Sequence, residues 1–315
     1  MMLFAIKNWV AGAAAAVAIL WAFAVPAQSA VAAPPPLPPL FVDCRGERTS
    51  SPTVILEAGA FGTSADWDFV LDDLAAGGRV CAFDRAGLGR SPPRPGEKDV
   101  LTKAGELNGL LDQIGETGPV ILVGHSNGAL YARAFASLWS ERVAGLVYVN
   151  GVGPEAGDDP ALISDLTAER RASNLAVTAG RLGLAGMVAD TLGGPMGLNP
   201  VAALRKRAGL LSLASLKVAR DEDRWIIPGL ETVRRLGGAA WRIPTVVIVG
   251  AEDPAQPLAQ AWRAAEVAPA EQADRHWVLD MAGATHVSPL TRDRAYLGAA
   301  VAWVRSLSPG ADVLH

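Results

Sequence analysis

Val120-Ile121-Leu122-Val123-Gly124-His125-Ser126-Asn127-Gly128-Ala129-Leu130-Tyr131-Ala132 joins a short apolar run, a Gly-x-Ser-x-Gly pentapeptide and the start of a helical pattern. That order predicts a buried strand reversing into a helix through a turn so sharp that its central residue takes a strained backbone conformation. Ser126 would then stand exposed at the carboxyl edge of a sheet. The pentapeptide alone is weak evidence in a chain with 33 glycines, so the surrounding pattern has to carry the argument.

On the amino side, Phe41 to Cys44, Thr53 to Glu57 and Val80 to Phe83 read as strands. Helical spacing runs from Trp67 to Leu74 and again from Leu101 to Ile114. On the carboxyl side, a helix from Asn127 to Leu138 leads to a strand over Val143 to Val149. The alternation resumes with a strand over Thr245 to Val249, a helix near Leu258 to Glu266, a strand at Trp277 to Leu279 and a helix near Tyr296 to Val304. Such alternation predicts an α/β fold, a mostly parallel central sheet flanked by helices. Between the halves, residues 154–238 contain no convincing strand and read as several helices broken by Gly193-Gly194-Pro195, Pro200 and Pro228. The expected core is therefore 41–153 with 239–308, and 154–238 is an inserted helical cap.

The 315 residues, half of them hydrophobic, suffice for one large domain with a sizeable core. Lys and Arg number 28 against 32 Asp and Glu, and no basic run or basic-aromatic interleaving is present, which argues against nucleic acid as a partner. The histidines, His125, His276, His286 and His315, include no pair at metal-ligand spacing, and Cys44 and Cys81 form no Cys-x-x-Cys pair. No phosphate-binding glycine loop occurs either. The reading thus expects no metal, no cofactor and a small-molecule substrate.

Residues 1–33 have one early cation, Lys7, then an apolar run, then the small residues Ala27 to Ala33. This is the pattern of an export signal, with cleavage expected after Ala32 or Ser29, or of an uncleaved membrane anchor. A periplasmic or secreted protein is expected, touching a membrane only through that segment. Residues 34–40 are a proline-rich spacer.

Five stretches together resemble the α/β-hydrolase fold enzymes. They are Glu57-Ala58-Gly59-Ala60-Phe61-Gly62, Asp84-Arg85-Ala86-Gly87-Leu88-Gly89-Arg90-Ser91, Gly124 to Gly128, Val249-Gly250-Ala251-Glu252-Asp253-Pro254, and Gly283-Ala284-Thr285-His286. One departure is Ala58-Gly59, where the family commonly has His-Gly. The resemblance implies an oxyanion hole formed by the backbone N–H groups of Asn127 and of Ala60, with Phe61 as the second choice for the latter. It also implies that the strands carrying Cys44 and Cys81 could lie close together, which leaves a disulfide or two buried thiols open.

The chemistry can be argued without the name. A serine hydroxyl needs an adjacent base, and the base needs a group that fixes its tautomer and stabilises its charge. Ser126, Asp253 and His286 each follow a predicted strand, and loops at strand carboxyl ends open on one edge of a parallel sheet. His286 is the histidine whose position suits a base, since His125 is locked in the turn and expected to point away from Ser126. Asp253 is the expected orienting acid, with Glu252 as its local rival and helix capping as its alternative role. Asn150-Gly151 leaves no acid after the preceding strand. Asp84 to Gly89 reads as a structural turn.

The expected activity is acyl-enzyme hydrolysis of an ester, amide or thioester. The alternatives are a cofactor-free lyase or perhydrolase on the same triad, and a non-catalytic binding protein. Leu162, Ile163, Leu166, Leu182, Leu184, Met187, Val188, Leu192 and Met196 suggest a cap lending an apolar wall to the site, hence an apolar substrate, or else a helical subdomain that consumes its own leucines.

Overall fold

In the computed structural model, residues 38–192, 197–238 and 242–307 are described. The export segment, most of the proline-rich spacer, Met196 and the Gly193-Gly194-Pro195 break lie outside them. Among the described residues no helix is long and apolar enough to cross a membrane.

Seven strands form one sheet: β1 (Val42–Arg45), β2 (Val54–Glu57), β3 (Val80–Phe83), β4 (Val120–His125), β5 (Val143–Val149), β6 (Thr245–Ala251) and β7 (His276–Ala282). Their order is β1-β3-β2-β4-β5-β6-β7, with β1 antiparallel to β3 and every other pair parallel. All seven strands were expected from the apolar runs. β4 lies at the centre and is buried along its whole length, which is why its sequence shows no polar alternation.

Both faces of the sheet are covered. Val120 and Leu122 point into one core with α2 (Val100–Gln113) and α3 (Asn127–Leu138). Ile121 and Val123 point into the other, with α1 (Asp68–Ala75) and α9 (Ala295–Ser306). This two-residue alternation of sides is the strand period itself. Cys44 and Cys81 are register partners on β1 and β3 and are joined by a disulfide.

The helical insertion between β5 and β6 consists of α4 (Pro160–Arg181), α5 (Ala185–Leu192), α6 (Pro200–Leu211) and α7 (Leu213–Leu236). α8 (Pro257–Glu271) follows β6. Pro200 starts α6, where a missing N–H costs nothing. Pro228 does not break its helix as expected: α7 runs through it. The buried face of that helix, Ile226, Gly229, Leu230 and Val233, holds it to the core, and burial of such side chains outweighs one lost backbone bond.

Candidate active site

The strand-to-helix turn after β4 is as tight as its sequence implies. Ser126 has φ 53° and ψ -125°, a region that costs a non-glycine residue on the order of 1–3 kcal/mol. The flanking glycines make the turn possible: a Cβ on Gly124 would stand 2.6 Å from Ala129 Cα, and one on Gly128 would stand 2.4 Å from the Glu57 carbonyl oxygen. The elbow is held from both sides, since Ser126 N donates to Val149 O (3.0 Å) and Ser126 O accepts from Val152 N (3.0 Å).

Ser126, Asp253 and His286 line one cavity of about 390 Å³. Ser126 and His286 also line a second cavity of about 240 Å³, which includes Ala60 and Phe61. Gly59 lies against the elbow so closely that a Cβ there would come within 2.8 Å of Ser126 Cβ. Among the described residues the N–H groups of Ala60 and Asn127 donate no hydrogen bond, so both are free for a ligand oxygen. The Asp253 carboxylate accepts from Ala255 N (3.1 Å) and from Gln256 Nε2 (3.3 Å), a turn-capping arrangement on its own loop. Among the described residues, no hydrogen bond joins His286 to Ser126 or to Asp253.

His286 is exposed on the cavity side, and the protein packed around the rest of the ring partly desolvates it. Burial lowers its pKa, and the charge of Asp165 on α4 acts in the opposite direction. Its carbonyl is clamped by two donors, His125 Nε2 at 3.0 Å and Asn150 Nδ2 at 2.9 Å. Asn150, itself at φ 44°, also accepts from Gly250 N (2.6 Å), so one side chain ties together the loops after β5, β6 and β7. The His125 ring packs 4.8 Å from that of His286. Burial, followed by the neighbouring His286, pushes its pKa down to about 3, so it stays neutral at ordinary pH.

The loop that carries Ala60 is fixed by buried charges. Arg85 donates to the carbonyl oxygens of Ala58 and Gly59 and pairs with Glu57 (2.8 Å) and Glu222 on α7 (2.8 Å). Lys103 pairs with the same Glu222 (3.0 Å) and with Glu106 (3.1 Å). Burial raises the Glu222 pKa, but the two cations more than offset it and hold it at about 2. Lys206 on α6 bonds Asp66 (2.7 Å) and the carbonyl of Phe61 (3.2 Å), whose φ is 54°. Asp84 has the structural part expected of it, receiving Ser64 N and Arg90 N.

The apolar residues of the insertion do not form the expected wall. The main core takes Leu162 and Leu166, packing within the insertion takes Val188 with Ala176, Val177, Leu210 and Leu216, and Leu182, Leu184 and Met187 stay exposed. What the insertion gives the two cavities instead is Asp165, Glu169, Ala172, Ser173, Lys206 and Asp223. Sequence reasoning missed Asn150, Arg85, Asp165 and Glu169. The available signal for the last two was their i,i+4 spacing, which puts both carboxylates on one face of α4.

Residues 54–299 match the alpha/beta hydrolase family, and the chain belongs to it. A relative from Gibberella zeae, described as an AB hydrolase superfamily protein, is 32% identical over 152 residues, covering 45% of this chain and 46% of that protein. The chain thus matches less than half of that relative's length. Among solved structures, a thermophilic esterase from Thermogutta terrifontis is similar with a TM-score of 0.62 and 22% identity, over 85% of this chain and 93% of that one. A laboratory-evolved variant of potato epoxide hydrolase has a TM-score of 0.68 and 17% identity, over 85% and 96%. At these identities the likeness is one of fold.

Proposed function

We propose that the protein is a serine hydrolase that cleaves carboxylic ester bonds, with amides or thioesters as related substrates, through an acyl-enzyme. The observation that carries this reading is the strained Ser126 at the head of α3, opening on a cavity that His286 also lines. Ser126 Oγ attacks the carbonyl carbon while His286 takes its proton. The tetrahedral oxyanion is received by the N–H groups of Ala60 and Asn127. His286 then protonates the leaving group, and water repeats the sequence to release the acid. His286 is closer in role to a neutral base than to a stored cation, because its burial favours the uncharged ring. Asp253 serves as the orienting acid, its carboxylate turning from Ala255 N toward His286 when substrate binds. The helical insertion serves as the cap over this edge, and the protein is exported by its apolar N-terminal segment.

Ser126→Ala is expected to lower kcat on short aryl esters by roughly 10⁴-fold or more, and a fluorophosphonate probe is expected to label Ser126 and no other residue. Wild-type turnover by Ser126→Ala would refute the reading. Asp253→Asn is expected to cut kcat on a neutral ester by orders of magnitude and Asp165→Asn to change it little; the reverse result would remove Asp253 from its assigned role.

A further inference from the structure

The 390 Å³ cavity at Ser126 has an unusual wall. Carboxylates reach it from three separate segments: Asp165 and Glu169 from α4, Glu252 and Asp253 from the loop after β6, and Glu266 from α8, while no Lys or Arg lines it. Glu266 is the informative one. Its residue is 8% exposed, it lines the cavity, and among the described residues it has neither a hydrogen-bond nor an ion-pair partner. A carboxyl in that position has lost most of its water, keeping only the contact that the cavity allows, without gaining a protein donor, which is costly unless something else supplies the partner. Burial with no compensating charge pushes Glu266 up to about 8.

Elsewhere this chain provides partners for its buried acids: Asp84 and Asp223 accept hydrogen bonds from neutral donors, and others have counter-ions. Glu57 and Glu222 have Arg85, Glu106 has Lys103 and Asp66 has Lys206. The wall between α4 and α8 lacks such a cation. Trp262 lines the same cavity and donates its indole N–H to Asp165 (2.8 Å), setting an aromatic surface among the acids. Among the described residues, no three acidic or histidine side chains are grouped so as to hold a metal ion. The missing charge therefore suits a larger, organic cation, for which carboxylates and an indole are matching partners.

We propose that this wall binds the positively charged group of the substrate, an ammonium on the acyl or alcohol portion, while the scissile carbonyl lies at Ser126. The inference rests on the ester-hydrolase reading above and supplies its substrate class. Glu266 and Asp165 then act as specificity determinants rather than as parts of the bond-breaking machinery.

The test compares acetylcholine with its neutral isostere, 3,3-dimethylbutyl acetate, at pH 8 and low ionic strength. Wild-type protein is expected to favour the cationic ester by about 10-fold or more in kcat/KM, and Glu266→Gln to bring that ratio close to 1. Equal rates on the two esters, or a preference that survives Glu266→Gln, would overturn the proposal while leaving ester hydrolysis intact. A second arm needs no turnover: benzyltrimethylammonium is titrated calorimetrically into Ser126→Ala protein with Glu266 present or replaced by Gln. Saturable binding that weakens about 10-fold with the Gln variant supports the proposal, and absence of binding overturns it. If neither ester is cleaved but the cation binds, the ester reading fails and the cation site stands.

Discussion

The walls of the two cavities that share Ser126 and His286 are built on opposite electrostatic plans. On the side of the loop after β2, buried acids are matched by Arg85, Lys103 and Lys206, and the cations also grip backbone carbonyls of residues 58, 59 and 61. On the side of α4 and α8, Glu169 and Glu266 face the cavity without a cation. The paired wall holds backbone groups where a reaction would need them fixed. The unpaired wall carries a charge requirement that the folded chain does not meet by itself. Rigidity and receptivity are thus separated in space, which is the arrangement expected where part of a site must be preorganised and part must respond to ligand.

The sharpest way to break this contrast is Arg85→Ala. It strands Glu57 in the interior and leaves Glu222 with Lys103 alone, and uncompensated buried charge of this kind costs about 3–5 kcal/mol. Denaturant unfolding should register the loss, and an unchanged midpoint would mean that the pairs contribute nothing.

Next in size is Gly59→Ala, which sets a methyl group against Ser126 Cβ. A shift of the loop after β2 by about 1 Å is expected to lower kcat by roughly 10²-fold with little change in KM, read by steady-state kinetics on a neutral ester. A KM effect alone would show that the loop serves binding and not the reaction.

The walls should also differ in how stability depends on pH. Glu222 is depressed to about 2, so its contribution is complete above the unfolded carboxyl value of about 4.3 and is lost as pH falls through 2. Glu266 is raised to about 8, so the sign reverses: the folded state is favoured below about 4.3 and loses stability as pH rises from there to 8. Glu266→Gln is accordingly expected to stabilise the ligand-free protein by several kcal/mol at pH 8, at most about 5, and by little at pH 4. Thermal melts at the two pH values measure this directly, and equal shifts at both would remove the electrostatic explanation.

The smallest effect concerns His286. Burial lowers its pKa, so the acid limb of kcat/KM should fall below the ordinary imidazole value of about 6.5, with activity lost as pH drops through the shifted value. Asp165→Asn removes a charge that raises it and should move the limb lower still. His125 should add no limb of its own near neutrality. A limb that rises in Asp165→Asn would reverse the assigned sign.

The strands were legible because a buried parallel sheet requires apolar runs of four to seven residues, and residues 80–83, 120–125 and 143–149 meet that need on their own. The elbow was legible because sterics at Gly124 and Gly128 admit so little else. Pro228 misled, since local propensity says nothing about the face that α7 packs against α3. The insertion misled more seriously. Its leucines looked available for a ligand, yet whether an apolar side chain faces a cavity or a neighbouring helix depends on how helices cross, which no local pattern records.

By itself, then, the sequence determined the alternating α/β order and the position of Ser126 at a strand-to-helix turn. These follow from periodicity and backbone sterics, which act over a few residues. Only the tertiary structure decided that Asn150 and His125 both clamp the His286 carbonyl, that Arg85 ties the insertion to the loop after β2, and that Glu266 faces the cavity unpaired. Partners separated by up to 161 positions along the chain meet only when the sheet brings its loops to one edge, and the sum of charges on each wall exists only after that meeting.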